Sequence, residues 1–162
     1  MRQKMRQTLC IATLVLTICT SIASIGCSKG QGAPKYPVSG TVLVNGNPAA
    51  YMIVRFHAPG QGLVGQDAQP AAVCDNQGRF KLSSFGDNDG AAAADYILTF
   101  YWPTNPITAS SDRLQGMFAS MESSEYLVSV TPETTELPPF DLELDPEQIL
   151  PPETISLPDM SP

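Results

Sequence analysis

The chain is poor in the residues that carry most protein chemistry. It has one histidine, four cysteines and nine Lys plus Arg in 162 residues. With one imidazole, any Ser-His-Asp or Cys-His arrangement must use His57, and no nucleophile-elbow motif flanks any serine. Nine bases against sixteen acids give a net charge of −7. That balance excludes nucleic acid as a partner, because neutralising phosphates takes Lys and Arg. No long stretch shows a 3.6-residue apolar period. What is present is a 43% hydrophobic fraction, enough for a core, with fifteen Pro and twelve Gly. Those argue for many turns and against a helical bundle, and the length suits one ordinary domain.

Arg2, Lys4 and Arg6 precede an apolar run from Leu9 to Ile25. A basic head, an apolar middle and a small-residue exit make a secretory signal. The run closes on Ser24-Ile25-Gly26-Cys27, which resembles the lipobox of bacterial lipoproteins. The resemblance implies cleavage before Cys27 and acylation of its thiol and new amino group, with palmitate among the acyl chains. Two alternatives stand beside it. Ser21-Ile22-Ala23 has the small-x-small form of an ordinary cleavage site. An uncleaved run would be a membrane helix at the short end of the spanning range. Residues 27–35 read as a polar, flexible tether. Ser28 is not the Asp that retains some lipoproteins in the inner membrane, so the resemblance implies the outer membrane of the cell envelope.

Cleavage changes the counts. The mature chain keeps six Lys plus Arg against sixteen Asp plus Glu, a net of −10. Cys10 and Cys19 leave with the signal and Cys27 takes lipid. Cys74 is then the sole thiol, and no internal disulfide can form.

From Tyr36 onward the apolar period is two. Val38, Val42 and Val44 share a phase, as do Met52, Val54 and Phe56. A short strand begins at Val73, and Phe80 and Leu82 form the next. Tyr96 to Trp102 is the most apolar segment and reads as central. Tyr126, Val128 and Val130, then Phe140, Leu142 and Leu144, complete seven strands between Gly, Asn, Asp and Pro clusters. This predicts an all-β, seven-stranded immunoglobulin-like β-sandwich over residues 36–144. Ala91 to Ala94 reads as loop or one helical turn. From Thr131 onward there are eight acids, eight Pro and no Lys or Arg. Residues 145–162 therefore read as an extended or disordered acidic, Pro-rich tail.

Pro37-Val38-Ser39-Gly40-Thr41-Val42, Asn45-Gly46-Asn47-Pro48-Ala49 and a strand ending in Phe56-His57 resemble the opening of carboxypeptidase regulatory-like domains. These belong with the transthyretin-like (prealbumin-like) sandwiches. Asp75-Asn76-Gln77-Gly78-Arg79-Phe80 is similar to their D-x-x-G-x-F hairpin, and Asp95-Tyr96-Ile97-Leu98-Thr99 to a later strand. Asp112-Arg113-Leu114-Gln115-Gly116 and Leu137-Pro138-Pro139-Phe140-Asp141-Leu142 look like pieces of a lipoprotein subgroup with this domain. The resemblance implies a non-catalytic module. The enzymatic relatives, the hydroxyisourate hydrolases, use several His and Arg residues and a Tyr-Arg-Gly-Ser end that this chain lacks.

Three kinds of candidate site follow. Cys27 is the lipidation site. Tyr51 and Tyr101 are candidates for a surface that takes a sugar or peptide, beside core packing as the alternative for the Phe100-Tyr101-Trp102 run. Asp87, Asp89 and Asp95 are weak candidates for a loose calcium cluster. Placing Gly90 at the sixth loop position puts Phe85 and Tyr96 where an EF-hand needs acids, so that pattern fails. Asp75-x-x-Gly78 reads as a tight turn. The sequence thus points to an envelope lipoprotein without catalytic residues or cofactor. It would be attached to the membrane through acylated Cys27 and meet an envelope protein or polysaccharide. The alternative is a secreted or anchored carbohydrate- or calcium-dependent ligand binder.

Overall fold

The computed structural model describes residues 32–108, 111–134 and 136–153. Cys27 and the signal run lie outside them. Among the described residues there are ten strands and two short 3-10 turns, Gly65–Asp67 and Pro146–Gln148. The strands are β1 Lys35–Tyr36, β2 Ser39–Val44, β3 Asn47–Pro48, β4 Ile53–His57 and β5 Ala71–Val73. They continue as β6 Arg79–Lys81, β7 Ala91–Ala92, β8 Ala94–Tyr101, β9 Leu127–Val130 and β10 Phe140–Leu142. The fold is an all-β sandwich. The seven expected strands are β2, β4, β5, β6, β8, β9 and β10. The other three are two-residue pairings.

One sheet runs β5-β4-β8-β9, antiparallel throughout. In the other, β2 pairs β10 in parallel, and pairs β6 and β3 antiparallel. The period-two pattern sets what each strand buries. Val42 and Val44 of β2, Val54 and Phe56 of β4, and Tyr96, Leu98 and Phe100 of β8 all face the core. Phe56 lies edge-on to Phe80 and to Tyr96, with centroids 6.2 and 5.7 Å apart. Phe100 meets Tyr126 at 5.1 Å and Phe140 at 6.0 Å. The Phe56–Phe80 and Phe100–Phe140 contacts cross between the two sheets, and all four add to plain area burial.

Three expectations change. Ala91 to Ala94 is neither a loop nor a helical turn: Ala91–Ala92 pairs with Lys35–Tyr36, and Ala94 opens β8. Both β7 alanines are buried, so packing overrides their helix propensity. Val73 ends its strand instead of beginning it, because Ala72 and Cys74 take the inward positions. The third change concerns the tail. Residues 145–153 are held against the excursion that follows β8, with Leu150 N–H donating to Arg113 O and Glu153 N–H to Thr104 O. Proline removes a donor from the chain but leaves every carbonyl and all other N–H groups able to bond.

The first of the described residues are also pinned. Lys35 Nζ pairs with the buried Asp67 carboxylate, donates to Ala33 O, and lies 5.0 Å from the Phe85 ring centre.

Candidate functional site

Strand phase decides where each candidate side chain goes. Residues 97, 99 and 101 of β8 point out of the sandwich, as do 53, 55 and 57 of β4. The register gives three outward rows: Val73–Ile53–Tyr101, Ala71–Arg55–Thr99 and His57–Ile97–Leu127. Val73 is 60% and Leu127 72% exposed. At the far end of this face a cavity of about 430 Å³ is lined by Pro59, Gln61, Asp95, Ile97, Leu127 and Ser129 among others.

The Phe100-Tyr101-Trp102 run is divided three ways. Phe100 is in the core and Tyr101 on the outward face. Trp102 donates its indole N–H to Ala50 O at 2.8 Å and carries the Arg113 guanidinium 3.7 Å above its ring. Tyr51 stands two residues before Ile53, the register partner of Tyr101, so both candidate tyrosines belong to one end of the sheet. Tyr51 is 44% exposed and has φ +64°, a left-handed conformation rare for a bulky residue. Its N–H donates to Cys74 O, which helps hold it there.

The acidic candidates do not converge. Asp89 accepts the N–H groups of Ser84, Phe85 and Gly86. Desolvation opposes its ionisation, but those three donors and the Lys35 charge hold it below the usual carboxylate range. Asp95 accepts the Ser129 hydroxyl, and Asp87 is exposed in the turn. Among the described residues no three His, Cys, Asp or Glu side chains come together as a metal site. Asp89 closes its own loop instead.

His57 is half-buried. Its Nε2 is 2.8 Å from the Thr99 hydroxyl, and burial and then Arg55 pull its pKa down. Cys74 is buried in the core, where desolvation, followed by the Asp75 charge, pushes the thiol up to about 12. A thiol so protonated is a poor nucleophile. Asp75 makes the expected turn, its carboxylate accepting from Gln77 and Arg79 N–H. In the Asp112–Gly116 motif, Asp112 accepts from Trp102, Leu114 and Gly116 N–H, and Leu114 is fully buried. Arg113 also donates from Nε to Leu150 O.

No family model matches the chain, and no curated protein matches it in sequence. Two solved structures are similar in part. A 9R-lipoxygenase from Cyanothece PCC8801 has 16% identity and a TM-score of 0.36 over 78% of this chain. A chlorocatechol 1,2-dioxygenase from Pseudomonas putida has 12% identity and a TM-score of 0.28 over 72% of it. The aligned part spans 20% of the lipoxygenase and 60% of the dioxygenase. Among the described residues no helix is long and apolar enough to cross a membrane.

Sequence reasoning missed two features. The apolar outward face was hidden because Val73 and Leu127 each look like ordinary strand residues, and only register brings them together with Ile53 and Tyr101. The Arg113–Trp102 pair had a signal: Arg113 belongs to the Asp112–Gly116 motif, in which Asp112 closes the excursion after β8 by hydrogen bonds and Leu114 is buried in the core.

Proposed function

We propose that this chain is a bacterial envelope lipoprotein, anchored through acylated Cys27, whose β-sandwich is a non-catalytic binding or structural module of the carboxypeptidase regulatory-like, transthyretin-like kind. The observation that carries the non-catalytic part is the state of His57 and Cys74. The histidine leans on Thr99, and the thiol is buried with its pKa at about 12. Neither is arranged as a nucleophile–base pair. The anchoring rests on the lipobox-like end of the signal run. Three acyl chains give firm attachment, which an acidic mature chain needs at an anionic surface that would repel it. The outer membrane is the favoured site, and an envelope protein or polysaccharide the favoured partner class.

Metabolic labelling with an alkyne palmitate, followed by membrane fractionation, tests the anchor. The natural chain is expected to take up label and sediment with membranes, while Cys27→Ala does neither. A Cys27→Ala protein that remains membrane-bound sinks the reading.

A further inference from the structure

The described residues hold five Lys and Arg. Lys35 is paired with Asp67, Arg113 lies over Trp102, and Arg55 points out of the β5-β4-β8-β9 sheet. The other two, Arg79 and Lys81, stand together and exposed on β6, and neither forms an ion pair with another described residue. They point out on one face, about 7 Å apart along the strand. On the neighbouring β2, Ser39 lies opposite Lys81 and Thr41 opposite Arg79. The ladder bonds flank these pairs, with Val42 N–H donating to Gly78 O and Leu82 N–H to Val38 O. Both pairs are therefore of the non-hydrogen-bonded kind, in which facing side chains stand closest. Each cation is set against a hydroxyl-bearing residue, and the arrangement repeats once along the face.

This face is hollow. A cavity of about 640 Å³ is lined by Ser39, Thr41, Arg79, Lys81, Asn88 and Glu136 among others. A second, of about 230 Å³, shares Ser39, Lys81 and Asn88 with it and continues to Pro37. The wall that carries Asn88 is already fixed. Asn88 N–H donates to the Ser83 hydroxyl, and the Asp89 carboxylate holds the N–H groups of Ser84, Phe85 and Gly86. A wall held in place needs no ordering when a ligand arrives. Asp75 also borders the cavity, but Gln77 and Arg79 N–H groups draw its carboxylate into the turn. Glu136 stands beside Ser39, on the side away from Lys81.

The chain as a whole is acidic, yet at physiological salt charges more than about 8 Å away are largely screened, so the two cations set the sign of the groove. Arg79 offers a planar fork that matches a carboxylate, and Lys81 a point charge. The Thr41 hydroxyl and the Asn88 amide both donate and accept, and Glu136 accepts, which suits a ligand rich in hydroxyls. An acidic peptide would meet the same cations, but Phe80 between them is buried, and alternate peptide side chains would find no apolar pocket there.

We infer that the groove over β2 and β6 binds an acidic glycan, a chain of sugars bearing carboxylates. A carboxylate sits on the Arg79 fork, a second is drawn to Lys81, and ring hydroxyls bond to Thr41, Asn88 and Glu136. This narrows the partner of the proposed function to a polysaccharide and rests on that reading for the partner class alone. It does not need lipid at Cys27, so a failure of the anchor and a failure of glycan binding are read separately.

Isothermal titration of the full chain in detergent with tetragalacturonate tests it. Saturable binding is expected, several-fold weaker at about 200 mM than at about 50 mM NaCl. The same oligomer with its carboxyls reduced to alcohols should not bind. Arg79→Gln combined with Lys81→Gln should weaken binding roughly tenfold or more, and Arg79→Lys, which keeps the charge but loses the fork, should fall in between. Arg55→Gln, on the other sheet, should change nothing. Thr41→Val leaves every charge in place and should weaken binding several-fold. Absence of binding overturns the inference, as does an unchanged affinity in the double variant or in Thr41→Val. An equal loss in Arg55→Gln overturns it too. Equal binding of a sulfated oligosaccharide of the same length overturns it in favour of an unselective polyanion surface.

Discussion

Arg113 joins three parts of the chain through one residue. Its guanidinium covers the Trp102 ring, its Nε holds Leu150 O, and its own carbonyl accepts Leu150 N–H. A planar cation is needed for the first contact and a directed N–H for the second. Arg113→Ala should cost about 2 kcal/mol in urea unfolding, from one cation–π contact and one hydrogen bond. Arg113→Lys should recover less than half of that, although it keeps the charge. His57 gives a pH prediction. Burial and Arg55 lower its folded pKa, so the folded chain resists a proton that the unfolded chain accepts near pH 6.5. Stability on this account is whole above about pH 6.5, falls as the pH drops below it, and stops falling once the folded pKa is passed. Melting temperature should therefore decline from about pH 7.5 to about pH 5, and decline less in His57→Gln. An equal slope in the variant would assign the effect to other groups.

Strands and turns were legible because each has its own chemical mark. Period-two apolar residues located six of the seven main strands and set β5 two residues late, and Asn-Gly, Asp-x-x-Gly and Pro-Gly marked the breaks. The alanine run misled because alanine carries no pattern: only the neighbouring chain tells Ala91–Ala92 to pair with Lys35–Tyr36. Gly90 permits that pairing. It has φ +85°, and a Cβ there would fall 1.9 Å from Tyr36 O. Gly46 has a similar φ of +76° with open space around it. The two glycines separate conformational strain from steric clash. Gly46→Ala should cost about 1–2 kcal/mol, the left-handed penalty alone. Gly90→Ala should cost roughly 3 kcal/mol or more, because β1 must move off β7. Denaturant midpoints of the two variants check this, and similar values would mean that β1 yields without cost.

On the scale of the whole molecule, charge and composition point to an acidic chain with a core but not to how residues 145–153 are secured. The candidate site was half legible for the same reason. Tyr51 and Tyr101 could be picked as aromatic residues beside strands, and register then brought them to one end of a sheet. Asp87, Asp89 and Asp95 looked like a loose cluster because sequence shows acids and not the donors that occupy them, three N–H groups on Asp89 and the Ser129 hydroxyl on Asp95. The tail is the clearest case. Its prolines and acids read as extended or disordered chain, yet between Asp145 and Glu153 several of its polar groups find partners. Leu150 N–H and O meet Arg113, Gln148 O accepts from Gln115, and Glu153 bonds Thr104 through both backbone and side chain. The partners all belong to the excursion between β8 and β9, which Asp112 closes from within and Leu114 anchors in the core. Five such bonds at about 0.5–1 kcal/mol each should make the 145–153 strap worth about 2–5 kcal/mol. A chain ending at Leu144 should therefore unfold at a clearly lower urea concentration than the full chain. One ending at Glu153 keeps every one of these bonds and should stay close to the full chain. The loss should also be local in origin: hydrogen exchange ought to rise first at Leu114, Gly116 and Thr104, before β4 or β8 opens. If the chain ending at Leu144 is as stable as the one ending at Glu153, the strap rests on the excursion without holding it.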